Sequence, residues 1–263
     1  YDGLNRIAED NGSTDFFKLS PSSAADFFLS SRQWYGQNLL GEPKFEGSVS
    51  TVLGNIVHYF AEQASLRLKP ENPDKLVADF LSTQKVESPA EIQALWKDMS
   101  NELIKGCIHG HPKPLATEQF MFHKLLPGIY VGGTTDAIVD LGNSDGTVSI
   151  RDYKTASTKP SGISYAYRLQ AHIYAFLATH YLGHKVSQIE LQFVTRPTKT
   201  LPCRHFSFTE PFTEENLATI TDQLQLIAES VDFWNKNPDL RYLLAQDLRL
   251  KPQPKKKPLF LKD

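Results

Sequence analysis

The chain has 263 residues, 40% of them hydrophobic, with 28 Lys and Arg against 30 Asp and Glu for a formal net charge of −2. That is enough apolar material for one large domain or two small ones, and it excludes global positive charge as the means of drawing in a polyanion, so any nucleic-acid contact needs a local patch. Two cysteines, Cys107 and Cys203, exclude a disulfide framework and a four-thiolate cluster; with no membrane-length apolar run and no signal pattern at the start, the cytoplasm is the expected location.

After a polar leader, Leu19-Ser20-Pro21 predicts a helix start: Ser20 caps, and Pro21 suits the first turn, where its missing amide hydrogen is not needed. This helix is expected to run towards Leu40 and to stop at Gly41 and Pro43. A second helix is predicted where Leu53, Ile56, Val57, Phe60 and Ala64 share one stripe. Amphipathic stretches at 76–81 and 92–103, bounded by Pro73, Pro89 and Gly106, extend the helical region to about Cys107.

At Pro112-Lys113-Pro114 the spacing changes to the alternation of strands, over 117–123, 129–141 and 148–154. Between the last two, Gly142-Asn143-Ser144-Asp145-Gly146 is a hairpin signal, because these residues tolerate turn geometry. A helix over 164–181, strands over 188–195 and 204–208, and a helix over 213–234 complete an α/β core of order βββαββ. The expected division is an N-terminal helical region (1–110) packed on a core (111–236), followed by a basic tail (237–263) carrying Lys255-Lys256-Lys257 among Pro252, Pro254 and Pro258.

On the third strand Val148, Ile150, Asp152 and Lys154 share a face, which therefore runs from apolar core to two charges. Charges beside a core need a partner or a task. The hairpin can bring Asp136, which follows Gly132-Gly133, next to Asp152, and two adjacent carboxylates repel unless a cation lies between them. A hard divalent cation, with Mg²⁺ the natural candidate, is what phosphodiester hydrolysis requires, and Lys154 would point at the same phosphate. Alone, an Asp-x-Lys pair is as ordinary as any surface ion pair. Three features add weight to it. Gly54, one turn before His58, leaves the helix bare beside an imidazole that also suits Mn²⁺. Gln170 and Tyr174 stand four apart on the helix after the Asp-x-Lys strand, with core packing as the plain reading of Tyr174. Glu118 shares a face with Phe120 and Phe122, and a strand-end salt bridge is an equal reading for it. Phe27, Phe28, Trp34 and Tyr35 can stack on bases or pack a core.

The order of these motifs, Leu-Ser-Pro-Ser at 19–22, Leu-Gly-x-x-x-His at 53–58, Gly-x-x-Asp at 133–136, Asp-Tyr-Lys-Thr at 152–155 and Gln-x-x-x-Tyr at 170–174, resembles the PD-(D/E)XK nuclease superfamily. The likeness is to its RecB-like branch, which includes RecE-type recombination exonucleases. It implies a restriction-endonuclease-like core acting on linear duplex or single-stranded DNA, with a single-strand annealing or other recombination protein as a partner. By that resemblance His58, Asp136, Asp152 and the carbonyl of Tyr153 ligate one or two Mg²⁺ or Mn²⁺ ions, with Glu118 a weaker carry-over. Lys154 would be the catalytic lysine, and Gln170, Tyr174, Thr155 and Gly54 would support the site or contact DNA. The sequence departs from the family in two places. Ser30-Ser31-Arg32 stands where many relatives place the first cysteine of an iron-sulfur cluster, so none is expected, and Ala137 stands where an Arg often follows the strand Asp.

The expected activity is a metal-dependent DNA exonuclease leaving 5′-phosphates, serving recombination or repair and carried by a phage or mobile element. A structure-specific or restriction-like endonuclease, and a DNA-binding recombination component with little nuclease activity, stay open beside it.

Overall fold

The computed structural model describes residues 2–43, 48–241, 243 and 244. The chain begins with helix α1 (Asp2–Asn11), strand β1 (Phe17–Leu19) and helices α2 (Pro21–Leu29) and α3 (Ser31–Leu39). Helices α4 (Val49–Ser65), α5 (Pro73–Thr83) and α6 (Pro89–Cys107) follow. The core then runs β2 (Ala116–Leu126), β3 (Ile129–Asp140), β4 (Val148–Ala156), α7 (Tyr165–Leu182), β5 (Val186–Thr195), β6 (Arg204–Pro211) and α8 (Glu214–Lys236). The expected βββαββ order is therefore present. Two expectations change. The helix predicted from Pro21 towards Leu40 is two helices, because the chain leaves helical dihedrals at Ser30 (φ −154°, ψ 58°), whose N–H closes α2 on the Asp26 carbonyl. The polar leader holds α1 and β1, which are too short for periodicity to register. The basic segment from Lys251 to Lys257 lies outside the described residues.

Helix starts follow capping chemistry. Ser20, Ser48, Ser164 and Thr213 each accept a backbone N–H from the first turn of α2, α4, α7 and α8. The β3–β4 hairpin turns where Gly142 and Gly146 take φ of +69° and +67°.

The sheet is mixed, and its central strand decides where the site falls. β2 lies antiparallel along one edge of β3. The other edge of β3 is shared by β1, parallel beside Ile129 to Val131, and β4, antiparallel beside Ala137 to Asp140. β5 runs parallel to β4, and β6 antiparallel to β5. β3 and β4 thus pair only at the hairpin end and fork after the Ala137–Arg151 pair.

Helices cover both faces. Ile150, Ile173, Phe176, Leu224 and Ile227 belong to the core under α7 and α8, whereas Tyr153 and Val194 pack with Leu53, Val57, Trp96 and Leu103 under α4 and α6. Each such fully buried aliphatic contributes about 1.5–3 kcal/mol. Trp34 is completely buried with Phe27 and Tyr35 edge-on against it, so these aromatics pack the core. Among the described residues no helix is long and apolar enough to cross a membrane.

Candidate active site

Where β3 and β4 part, backbone groups lose their ladder partners and side chains take over. Asp136 and Asp152 are the next residues past the last β3–β4 pair, one on each diverging strand. The Asp136 carboxylate spans the fork: its Oδ2 accepts the Tyr153 N–H at 2.6 Å, and its Oδ1 lies 3.1 Å from His58 Nδ1. Helix α4 is thereby tied to the sheet at this point.

Close packing makes the fork possible. A Cβ on Gly133 would sit 2.7 Å from Pro21 Cδ and 3.2 Å from Tyr174 Cε1. Glycine there lets the first turn of α2 and the Tyr174 ring close on β3 three residues before Asp136. Gly54, by contrast, faces Thr155 Oγ1 at an ordinary 3.5 Å from its would-be Cβ, so its bare surface seats α4 against β4.

On β4, Lys154 Nζ is 2.5 Å from Asp152 Oδ2 as an ion pair and 5.1 Å from the centroid of the Tyr167 ring. The same Asp152 Oδ2 is buried, with the Lys154 ammonium as its partner. Burial, and then the neighbouring Asp136 charge, hold Asp152 above the usual carboxylate range despite Lys154. Burial also opposes ionisation of Asp136, but His58, Lys154 and the Tyr153 N–H outweigh it and hold that carboxyl below its ordinary value. In return Asp136 overcomes burial to raise His58, and Asp152 and Asp136 overcome burial to raise Lys154. Two carboxylates in one recess are pushed in opposite directions, as an interacting pair must be.

Glu118 is the surprise. The ladder between β2 and β3 pairs Thr117 with Ala137 and Gln119 with Thr135 but skips Glu118, the residue opposite Asp136. Its φ is +48°, in the left-handed region that costs a non-glycine residue about 1–3 kcal/mol. The alternation expected through Glu118, Phe120 and Phe122 is therefore broken at Glu118. Although the residue as a whole is exposed, burial of its carboxyl, then the charges of Asp136 and Glu62, push its pKa up to about 7. Glu62 stands one helical turn beyond His58 on α4, a contribution that i, i+4 spacing alone could have signalled.

The structure thus gathers His58, Asp136, Asp152, Tyr153, Lys154 and Glu118 at the fork. Tyr174 is 7% exposed; burial, then the Asp152 charge, push its phenol up, and Gln170 hydrogen-bonds to it. Both residues therefore border the recess from α7. Ala137, which departs from the Arg often found after the strand Asp, faces Arg151 across the ladder, and that guanidinium pairs with Glu190 on β5 at 2.8 Å. Tyr167 was not singled out from sequence; three residues before Gln170, it was legible only as helix.

Among the described residues no three His, Cys, Asp or Glu side chains already close around one point. The chemistry of the set nevertheless fits a hard cation. Mutually repelling carboxylates with an imidazole alongside are what a divalent ion relieves.

A mixed six-stranded sheet, forked at two aspartates and clad in helices, defines the restriction-endonuclease-like class of fold. The chain belongs to the PD-(D/E)XK nuclease superfamily, whose family model matches residues 18–255. A structure from Eubacterium rectale, provisionally described as an exonuclease, is similar with a TM-score of 0.53 at 14% identity, over 88% of this chain and 85% of that one; at this identity it shows the fold alone. An alkaline exonuclease from Laribacter hongkongensis aligns over 73% of this chain and 93% of its own at 14% identity, but its TM-score of 0.35 carries no argument. No curated protein sequence matches.

Proposed function

We propose that this chain is a divalent-metal-dependent deoxyribonuclease that removes nucleotides from DNA ends, leaves 5′-phosphates and serves recombination or repair, carried by a phage or mobile element. The observation behind the chemistry is the fork, where Asp136 and Asp152 stand on diverging strands with His58 against the first and Lys154 against the second. The end-directed reading follows the description of the Eubacterium rectale structure.

In this reading His58, Asp136, Asp152 and the carbonyl of Tyr153 hold one or two Mg²⁺ or Mn²⁺ ions, with Glu118 as a further carboxylate. When bound, such an ion supplies Lewis-acid activation of a water and neutralises charge on the phosphate. Lys154, oriented by Asp152, holds a water or a phosphoryl oxygen at its ammonium and stabilises negative charge there. Asp136 keeps α4 and β4 in fixed relation through its bonds to His58 and Tyr153. Tyr174, held by Gln170, closes the recess from α7, while Thr155 and Gly54 form the wall where α4 crosses β4. The division into a helical region (1–110), a nuclease core (111–236) and a basic tail (237–263) belongs to this proposal, as does a single-strand annealing or other recombination partner.

The test is the product pattern of end-labelled linear DNA, single- and double-stranded, beside closed circular DNA, with Mg²⁺, with Mn²⁺ and with chelator. Linear DNA should be shortened to products with 5′-phosphates, circles should persist, and chelator should stop the reaction. Cleavage of closed circles would replace this reading with an endonuclease. Salt-sensitive binding with no cleavage under any divalent ion would leave only a DNA-binding component.

A further inference from the structure

A cavity of about 480 Å³ opens directly beyond Lys154, walled by β4 and the loop after it on one side and the first turns of α4 and α7 on the other. Its size falls within the roughly 300–1,000 Å³ of small-molecule sites. The lining is unusual in kind. Hydroxyl-bearing residues, Ser50, Thr155, Ser157, Thr158, Ser161 and Tyr167 among them, make up most of its lining, and among the described residues no carboxylate lines it. Three other polar cavities include acids: Asp15 and Asp232 in one, Asp2 and Glu118 in another, Asp98 and Glu102 in a third.

Two cations stand beside it, each already paired with a carboxylate. Lys154 lies over the ring of Tyr167, one of the walls, and Arg196 donates from Nη2 to Ser50 Oγ at 2.8 Å while its Nη1 pairs with Glu91 at 3.0 Å. Helices α4 and α7, of 17 and 18 residues, both begin beside this cavity, which brings their positive ends near it. Hydroxyl donors at the starts of two helices, with paired cations nearby and no acid among the described lining residues, match the needs of a phosphate monoanion. Without a carboxylate among them they do not match a hard metal ion.

We infer that this hydroxyl-lined cavity is a phosphate subsite, which receives the substrate-strand phosphate next to the one being cleaved. The inference rests on the nuclease reading above and deepens it. It assigns Ser157, Thr158 and Ser161, on the exposed loop after β4, to strand binding. The cavity adjoins Lys154 and Thr155, so a phosphate held there sets how far the strand advances past the fork.

The experiment places opposite charges on that loop. Ser161→Asp and Thr158→Asp, Ser161→Lys, and a distant charge control, Gln84→Glu on exposed surface after α5, are compared with wild type. Steady-state cleavage of a linear oligonucleotide and its binding by fluorescence anisotropy are read across a salt series. The Asp variants should raise KM and the DNA Kd by roughly tenfold, leave kcat within about twofold and lower the salt slope by about 1. Ser161→Lys should hold or tighten binding, and the control should match wild type. Equal weakening by Asp and Lys would mean bulk rather than charge and would overturn the subsite, as would unchanged KM and Kd in the Asp variants. If wild type binds DNA but cleaves none, the nuclease reading fails, and the anisotropy arm alone still decides the subsite.

Discussion

Strand β4 carries buried charge on both of its faces, and the two faces are finished to different degrees. On the α6 side, Arg151 donates to Glu190 from Nε and to the Cys107 carbonyl from Nη1, each at 2.8 Å. Glu190 also accepts from Gln188 and Gln192, each at 3.1 Å, and Gln192 Oε1 meets His205 Nε2 at 2.8 Å. On the α7 side, one residue further along, Asp152 is paired with Lys154 at 2.5 Å and has a second carboxylate across the fork. A buried ion pair whose neighbours only complete its bonds holds a structure together, whereas one set beside a like charge is suited to receive a cation.

That contrast can be broken or sharpened by substitution. The largest effect is expected from Arg151→Met, which strands Glu190 in the interior and should cost about 3–5 kcal/mol in urea unfolding. The surviving folded protein should cleave DNA at close to the wild-type rate; an unchanged urea midpoint would remove the structural role assigned to this face. Lys154→Ala should do the reverse, lowering kcat by about 10²–10³-fold. Its stability loss should be smaller than that of Arg151→Met, because Asp152, already held above the ordinary range, can take up a proton instead of remaining charged. Equal activity in Lys154→Ala and wild type would sink the lysine's role.

An acid titration separates the faces more gently. Glu190 is held below its ordinary value of 4.5 because, against burial, Arg151 and its hydrogen bonds favour the carboxylate. A depressed carboxyl contributes stability that is present above its unfolded pKa and is lost as pH falls through the folded one. The Tm gap between wild type and Glu190→Gln should therefore be full at neutral pH and should close as the pH drops below about 4.5. A gap that stays constant would show that the Glu190 charge is not what stabilises. The smallest effect concerns strain at the fork. Glu118→Gly frees a residue held at φ +48° and should raise stability by roughly 1 kcal/mol while lowering Mn²⁺ affinity, read by calorimetry. Gain of stability without loss of metal affinity would make Glu118 a structural irregularity and nothing more.

Much of this fold was legible in the sequence because its signals are local. The hairpin glycines, the serine caps and the period-two run from Val148 to Lys154 each depend on neighbours a few residues away. The gathering of Asp136 with Asp152 was legible too, since a tight turn brings its own two strands together. Other features were not. The three residues of β1 make a strand only because Ile129 to Val131 offer a free edge. The break at Ser30 leaves no proline or glycine behind to announce it. Glu118 reads as an ordinary strand residue, and nothing in its own neighbourhood of sequence signals the left-handed backbone it takes opposite Asp136.

The sequence by itself determined the order of elements and which residue types stand ready for phosphodiester chemistry: the aspartates, Lys154 and His58, on a core of PD-(D/E)XK order. Only the tertiary structure decided that β3 and β4 part just before Asp152, so that Asp136 replaces a lost ladder bond and reaches α4 through His58. It also decided that Arg151 faces a finished network while Asp152 does not. Alternation assigns adjacent residues to opposite faces, but what covers each face comes from helices distant in the chain, and that sets the cost of every buried charge.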